Sequence, residues 1–169
     1  MVRAGEAAIG FSCATWHGMG RDFPLIQEML QYVYTRGKGA GPERDVGTAG
    51  TWIRGVLRGV LTAEALRTAM REFGHQPLTG AQVQWGLEHL SLTAAALKAL
   101  GVEGLLTPFS LSCRDHEGGG SVRFQQWDGM QWTVLTDWIV PDQALVRPLV
   151  EAAAAQYAKE KGITPRVCP

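Results

Sequence analysis

Apolar positions along this chain recur at two spacings. Ala7 to Trp16 alternates, with Ile9 and Phe11 on one face, which predicts a buried strand. His17, Gly18 and Gly20 break it. Asp22-Phe23-Pro24 then opens a helix, because proline suits the first helical turn. Leu25, Ile26, Met29, Leu30 and Val33 follow at helical spacing, and Gly37 ends the run. The stretch 37–47, GKGAGPERDVG, reads as a connector. It follows a helix rather than a strand and lacks a Lys-Ser/Thr ending, so it is not a phosphate-cradling loop.

Thr48 to Phe73 carries the longest helical pattern, with Ile53, Val56, Leu57, Val60 and Leu61 in a broad apolar stripe. Gly55, Gly59 and Ala63 fall four apart and predict a face that another helix or sheet approaches closely. Gly74 closes the helix. Thr79-x-x-Gln82 is a capping box, with Leu78 and Val83 placed as a hydrophobic staple, and it starts a helix through Leu90. Thr93 caps a short helix, Ala94 to Leu100, which Gly101 ends.

The pattern changes after Gly104. A polar, glycine-rich loop, Arg114 to Gly120, feeds a strand over Val122 to Trp127. Asp128-Gly129 and a second strand, Trp132 to Trp138, complete a hairpin signature. A two-residue turn would set Trp127 opposite Met130. A four-residue loop, Asp128 to Gln131, sets Trp127 opposite Trp132 and is preferred, since aromatic cross-strand pairs stabilise ladders. An isolated hairpin is marginal in water, so this one must pack on something. Pro141-Asp142 begins a last helical stretch. Its regular part is expected from Pro148, because an interior proline removes a hydrogen bond and clashes. Lys159 and Lys161 suit the helix dipole in the last turn, and Gly162 stops it. The expected class is α/β and helix-rich: one leading strand, long helices, then a β-hairpin and a helix.

Formal net charge is zero over 169 residues. That argues against a nucleic-acid partner or an anionic membrane surface, which need a basic face. No apolar run approaches the ~20 residues of a membrane-spanning helix. The N-terminus, MVRAGEAAIGFSC, lacks the pattern of a signal peptide. Cys13, Cys113 and Cys168 are too few for a disulfide scaffold, and Cys13 reads as a small core residue. A Cys113–Cys168 bond is open to the chain in an oxidising compartment.

Cys113, Asp115, His116 and Glu117 form the densest group of potential ligands. Adjacent residues do not readily face one ion, and no pair stands at zinc spacing, so no metal site and no cofactor are expected. Asp115 or Glu117 is expected to cap amides among Gly118 to Gly120. There is no G-x-S-x-G, no H-E-x-x-H and no juxtaposed carboxylate pair. The expectation is a protein that is not an enzyme, with His75 and His89 in capping or surface roles.

YVYTRGKGAG, PLTGAQVQWGLEHL, SCRDHEGGGSVRFQQWDGMQWTVLTDW and LVRPLVEAAAAQYAKEKGITPR together resemble the C-terminal part of type I periplasmic solute-binding proteins. The likeness runs from about Ala7 to Arg166. The class concerned is the extracellular ligand-binding receptors of ABC importers for branched-chain amino acids and aromatic or other carboxylated solutes. In that family two α/β lobes close on a solute and the chain crosses the hinge three times. The resemblance implies a partial type I fold in four parts. Residues 1–20 are the end strand of the second lobe and a hinge crossing, and residues 21–105 are helical and belong to the first lobe. Residues 106–140 are the return hinge and the hairpin of the second lobe, and residues 141–169 are the C-terminal helix and tail. Family members are longer and carry a signal peptide, so the chain reads as a truncated or split receptor. The family places it in the periplasm or outside the cell, whereas the chain expressed as it stands would be cytoplasmic.

GTAGTWIRG corresponds to the segment that lines the family's cleft. The resemblance makes Trp52 a candidate for stacking on the solute and Arg54 for pairing with a carboxylate. Where the family tends to have paired tyrosines and an asparagine, this chain has Gly50, Thr51, Trp52 and Ile53. Trp16 and His17, at the first crossing, are further ligand candidates. The competing reading puts Trp16 and Trp52 in packing, His17 in a loop and Arg54 at the surface. The implied function is the solute-binding component of an ABC importer, with a small-molecule solute (a branched-chain amino acid or aromatic acid), an ABC permease and a second copy of the chain as partners. Two alternatives stand beside it. One is a stand-alone remnant that homo-oligomerises without binding solute. The other is a small soluble enzyme using His116 with Asp115 or Cys113.

Overall fold

A computed structural model describes residues 2–168. A 3₁₀ stretch, Val2–Ala8, leads to β1 (Ser12–Thr15). The alternation predicted over Ala7 to Trp16 thus yields a shorter strand. Gly10 adopts φ +85° and breaks the pattern. Ile9 and Phe11 stay 54% and 50% exposed, where a buried face was expected. They lie over the hairpin instead: Phe11 meets Trp132 edge-on at 6.3 Å between ring centres.

β1 pairs antiparallel with β4 (Arg123–Trp127), and β4 with β5 (Trp132–Val134), in the order β1-β4-β5. Trp127 stands opposite Trp132, with the rings 5.6 Å apart and inclined, as the four-residue loop predicts. Asp128 sets that register. Its carboxylate accepts the amides of Met130 (2.7 Å) and Gln131 (2.8 Å). β5 ends at Val134 rather than Trp138. The Thr136 hydroxyl takes the Phe124 amide at 3.0 Å and interrupts the ladder, which resumes as a single bridge between Val122 and Ile139.

The helices are α1 (Pro24–Met29, prolonged by a π turn over Leu30–Tyr34), α2 (Gly50–Phe73), α3 (Gly80–Glu88), α4 (Ala94–Ala99) and α5 (Gln143–Lys161). A two-stranded sheet pairs β2 (Ser91–Leu92) with β3 (Phe109–Ser110). The predicted caps form. Thr79 and Gln82 make both halves of the capping box, and the Thr93 hydroxyl accepts the Ala96 amide. The core gathers Ile26, Ile53, Leu57, Leu97 and Leu105 between α1, α2, α4 and the loop after α4.

Two expectations about packing are corrected. Gly55 and Gly59 are exposed, and a Cβ added to either would meet nothing within 4 Å. The inward face of α2 is set by Ile53 and Leu57, and this turns the small-residue stripe to solvent. Close approach occurs instead at Gly86, where a Cβ would fall 2.3 Å from the Ala65 carbonyl oxygen and 2.9 Å from the Ala69 Cβ. There α3 crosses α2. The second correction concerns α5, which is regular from Gln143, ahead of Pro148. The Asp142 carboxylate accepts the Ala144 and Leu145 amides, and Val146 donates to the Asp142 carbonyl at 2.9 Å. This first turn forms before the proline, which then forgoes one bond without breaking the helix.

No residue of α5 is buried, and Leu145 and Leu149 are two-thirds exposed. The helix is tethered by its ends. At the start, Arg147 pairs with Asp115 at 3.0 Å and the Gln143 amide donates to the Gly119 carbonyl at 2.9 Å. At the far end, a Cys113–Cys168 disulfide and an Arg166–Glu88 ion pair hold the tail.

Candidate functional site

The end of β1 turns sharply. Thr15 is nearly buried, and its hydroxyl bridges both the carbonyl (3.1 Å) and the amide (3.3 Å) of His17. This local turn carries the His17 ring inward, to 1% exposure. Its Nδ1 lies 2.8 Å from the Gly18 carbonyl oxygen, which can only accept, so Nδ1 bears the proton. Nε2 is then an acceptor, and the Nε–H of Arg54 donates to it at 3.2 Å. Both ring nitrogens are satisfied in the neutral form.

Gly18 lets a second cation approach. A Cβ there would meet the Gly104 carbonyl oxygen at 2.6 Å and Arg123 Nη2 at 3.0 Å. The Gly18 amide donates to the Leu105 carbonyl at 2.8 Å and pins the turn to the core loop. Arg123 stands opposite Thr15 in the β1–β4 register. Its guanidinium lies over the Trp138 ring, 4.6 Å from the centroid. Its Nε is buried and has no hydrogen-bond partner. Among the described residues, none of the ion pairs includes Arg54 or Arg123. Two cations therefore converge on one turn without a carboxylate between them.

Trp16 meets His17 edge-on, with ring centres 5.0 Å apart. It also lines a cavity of about 180 Å³ with Leu61, Leu106, Phe109 and Leu111. The structure therefore joins three of the four residues singled out from sequence: Trp16, His17 and Arg54. Trp52 goes elsewhere. Residues two apart on a helix do not share a face. Trp52 packs against the core and its Nε1 donates to the Tyr34 hydroxyl at 3.2 Å. Sequence reasoning missed Arg123. An arginine inside a hairpin strand carries no mark of its own, and only the pairing of β1 with β4 brings it to His17.

Burial, followed by the charges of Arg54 and Arg123, holds the His17 pKa below its ordinary 6.5, against the pull of the Gly18 carbonyl. The unfolded chain therefore binds more protons than the folded one between the lowered value and 6.5. The stability contributed by neutral His17 is whole above that window and is lost as pH falls through the folded pKa. Glu88, Asp115 and Asp128 also have lowered values, but they titrate in a more acidic window. Melting midpoints should fall between about pH 7 and pH 5, and His17→Gln should flatten that part of the curve. Parallel curves for the two proteins would disprove it.

The polar loop is structural. The Asp115 carboxylate accepts the Glu117 amide (2.9 Å) and the Gly118 amide (3.2 Å), so Asp115 rather than Glu117 makes the expected cap. Cys113 is in the disulfide, and His116 lies 3.4 Å from Glu88. Among the described residues no group of three or more His, Cys, Asp or Glu could hold a metal ion, and no helix is long and apolar enough to cross a membrane.

No family profile and no curated protein matches the chain. Two solved structures are similar to it. One, described as an ABC transporter permease from the Pseudomonas fluorescens group, is 42% identical with a TM-score of 0.90, over 100% of this chain and 41% of that one. The other is a branched-chain amino acid ABC transporter from Thermus thermophilus with bound valine. It is 21% identical with a TM-score of 0.62, over 82% of this chain and 35% of that one. The chain thus spans 41% and 35% of the length of these two structures. The mixed helical architecture, with its small antiparallel sheet, matches them in the region they share. The chain has a partial type I periplasmic-binding-protein fold and is similar in structure to ABC transporter components.

Proposed function

We propose that the chain is the C-terminal portion of the solute-binding component of an ABC-type importer, taking small amino-acid-like or aromatic carboxylated solutes. The observation that carries this reading is the whole-chain likeness to an ABC transporter component, with Arg54 and Trp16 converging on His17 at the end of β1. In this reading residues 1–20 and 106–140 belong to one lobe, residues 21–105 to the other, and residues 141–169 form the C-terminal helix and tail. The pairing of β1 with β4 supports the first grouping. Trp16 and Arg54 line the cleft, the buried His17 positions Arg54 through its Nε2, and Trp52 packs toward Tyr34 away from them. Solute would bridge the lobes and stabilise the closed state by its differential affinity, which a permease then recognises. The Cys113–Cys168 disulfide supports a periplasmic or extracellular setting.

Thermal-shift measurements against branched-chain amino acids and 3-phenylpropionate test the reading. A ligand-dependent rise in the melting midpoint is expected, growing with concentration as RT ln(1 + [L]/Kd). A flat response across both classes would overturn it.

A second reading is favoured by α5, whose Leu145, Leu149 and Tyr157 are exposed: a stand-alone unit that self-associates through bare apolar faces. A molecular mass that rises with protein concentration, without a response to solutes, would support it instead.

A further inference from the structure

We propose that Arg54 and Arg123, gathered at the His17–Gly18 turn, form a two-guanidinium site for the carboxylate of the solute, with Arg123 as the specificity-determining partner. The identity of the solute rests on the receptor reading. The anion site stands on its own geometry.

An incomplete hydrogen bond marks the site. The Nε–H of Arg123 is buried and donates to nothing. An unmade bond of this kind is unfavourable, the more so for a charged group. One edge of a guanidinium, Nε with a terminal nitrogen, matches the two oxygens of a carboxylate. The Trp138 ring covers one flat face of Arg123, 4.6 Å from its centroid. Arg54 uses its own Nε on His17, which leaves its terminal nitrogens to a ligand. The turn offers no compensating acid: the groups facing His17 are Arg54 from α2 and Arg123 from β4, both cationic. A carboxylate would complete Arg123 and screen the two like charges from each other.

The rest of the solute has a place as well. Trp16 belongs both to the His17 cluster and to the cavity lined by Leu61, Leu106, Phe109 and Leu111 together with His116 and Glu117. The surface therefore passes from cationic to largely apolar across one indole, and the Glu117 carboxylate in the cavity leaves the arginine side as the place for an anionic head.

Calorimetric titration with 3-phenylpropionate, its neutral amide 3-phenylpropionamide, and sodium sulfate tests the proposal at low ionic strength. The acid should bind and the amide should bind at least about 10-fold more weakly, the effect of losing a charge-assisted bond. Arg123→Gln should weaken the acid by about 10-fold or more, and Arg123→Lys should restore part of the loss, because it keeps the charge but not the fork. Should Arg123→Gln melt early, Arg54→Gln, at an exposed position, carries the same test. Equal binding of acid and amide, or an acid affinity untouched by both glutamine variants, overturns the anion site while solute binding survives. Sulfate binding that is lost in Arg123→Gln, with neither organic probe bound, upholds the anion site and counts against the receptor reading. Binding of no probe overturns the proposal.

Discussion

Cys113→Ser should release the C-terminal helix while leaving the core folded. The disulfide to Cys168 closes a loop with a sequence separation of 55. On the chain-entropy model a loop of that length corresponds to about 4 kcal/mol. Little else holds the last part of the chain. No residue of α5 is buried, and its remaining tethers are Arg147–Asp115, Gln143–Gly119, Arg166–Glu88 and a few loop contacts. Exposed pairs of this kind contribute about 0–1 kcal/mol each. The disulfide is therefore the dominant restraint, and its loss should be local rather than global. Amide exchange over residues 143–168 should speed up by orders of magnitude in the variant, with proteolytic cleavage in the same region. Amides of α2 should keep their protection. If protection falls equally in α2 and α5, the helix is part of one cooperative unit with the core, and it is not held by its ends alone. If neither changes, the disulfide restrains nothing.

Leu57→Ala should cost about 3 kcal/mol, within the 2–5 typical of buried leucines. Leu57 is fully buried, and it joins α2 to the cluster of Ile53, Leu97, Val102 and Leu105. Truncation removes apolar contact and leaves a cavity that flanking elements cannot easily fill, because both α2 and the loop after α4 are held by backbone bonds on either side. Leu149→Ala is the control. The same atoms are deleted, but at a side chain that is 66% exposed, so the change should stay within about 0.5 kcal/mol. Urea denaturation followed by far-ultraviolet circular dichroism would compare the two midpoints at unchanged slope. Similar costs at both sites would mean that α5 is buried in solution, as self-association through its apolar face requires.

The two variants probe one feature of this molecule, the unequal burial of its parts. The core is a cluster between α1, α2, α4 and the short β2–β3 sheet, whereas the β1-β4-β5 sheet and α5 keep large apolar side chains in solvent. Ile139, Val140 and Leu145 are all exposed. The two relatives are each more than twice as long as the region they share with this chain.

What was legible from residues follows a physical division. The capping box at Thr79 and Gln82, the Thr93 and Asp142 caps, the stops at Gly74, Gly101 and Gly162, and the Trp127–Trp132 register were all readable in advance or follow from neighbours within a few positions. Each depends on a side chain bonding an amide two or three residues away, or on a glycine reaching positive φ, and such interactions need no distant partner. Expectations about faces fared worse. Ile9 and Phe11 alternate like a buried strand but lie half in solvent, and Gly55 and Gly59 look like a docking stripe but face outward. A periodic pattern shows which residues share a side. It does not show what comes to that side. The same limit applied at the site. Trp16, His17 and Arg54 could be singled out, because the resemblance to the receptor family marks the hinge crossing and the cleft segment. Arg123 could not, because its approach to the His17–Gly18 turn requires β4 to pair with β1 across more than a hundred intervening residues.

By itself, then, the sequence determined the local geometry of this protein: where helices start and stop, how the hairpin turns, and which broad class of fold the elements imply. Tertiary structure alone decided which faces are covered, that α3 rather than a glycine stripe marks the close crossing of α2, and that two arginines from distant elements converge on the His17–Gly18 turn. The reason is range. Hydrogen bonds at caps and turns are satisfied within a few residues, whereas burial and charge depend on every surface that the whole chain brings together.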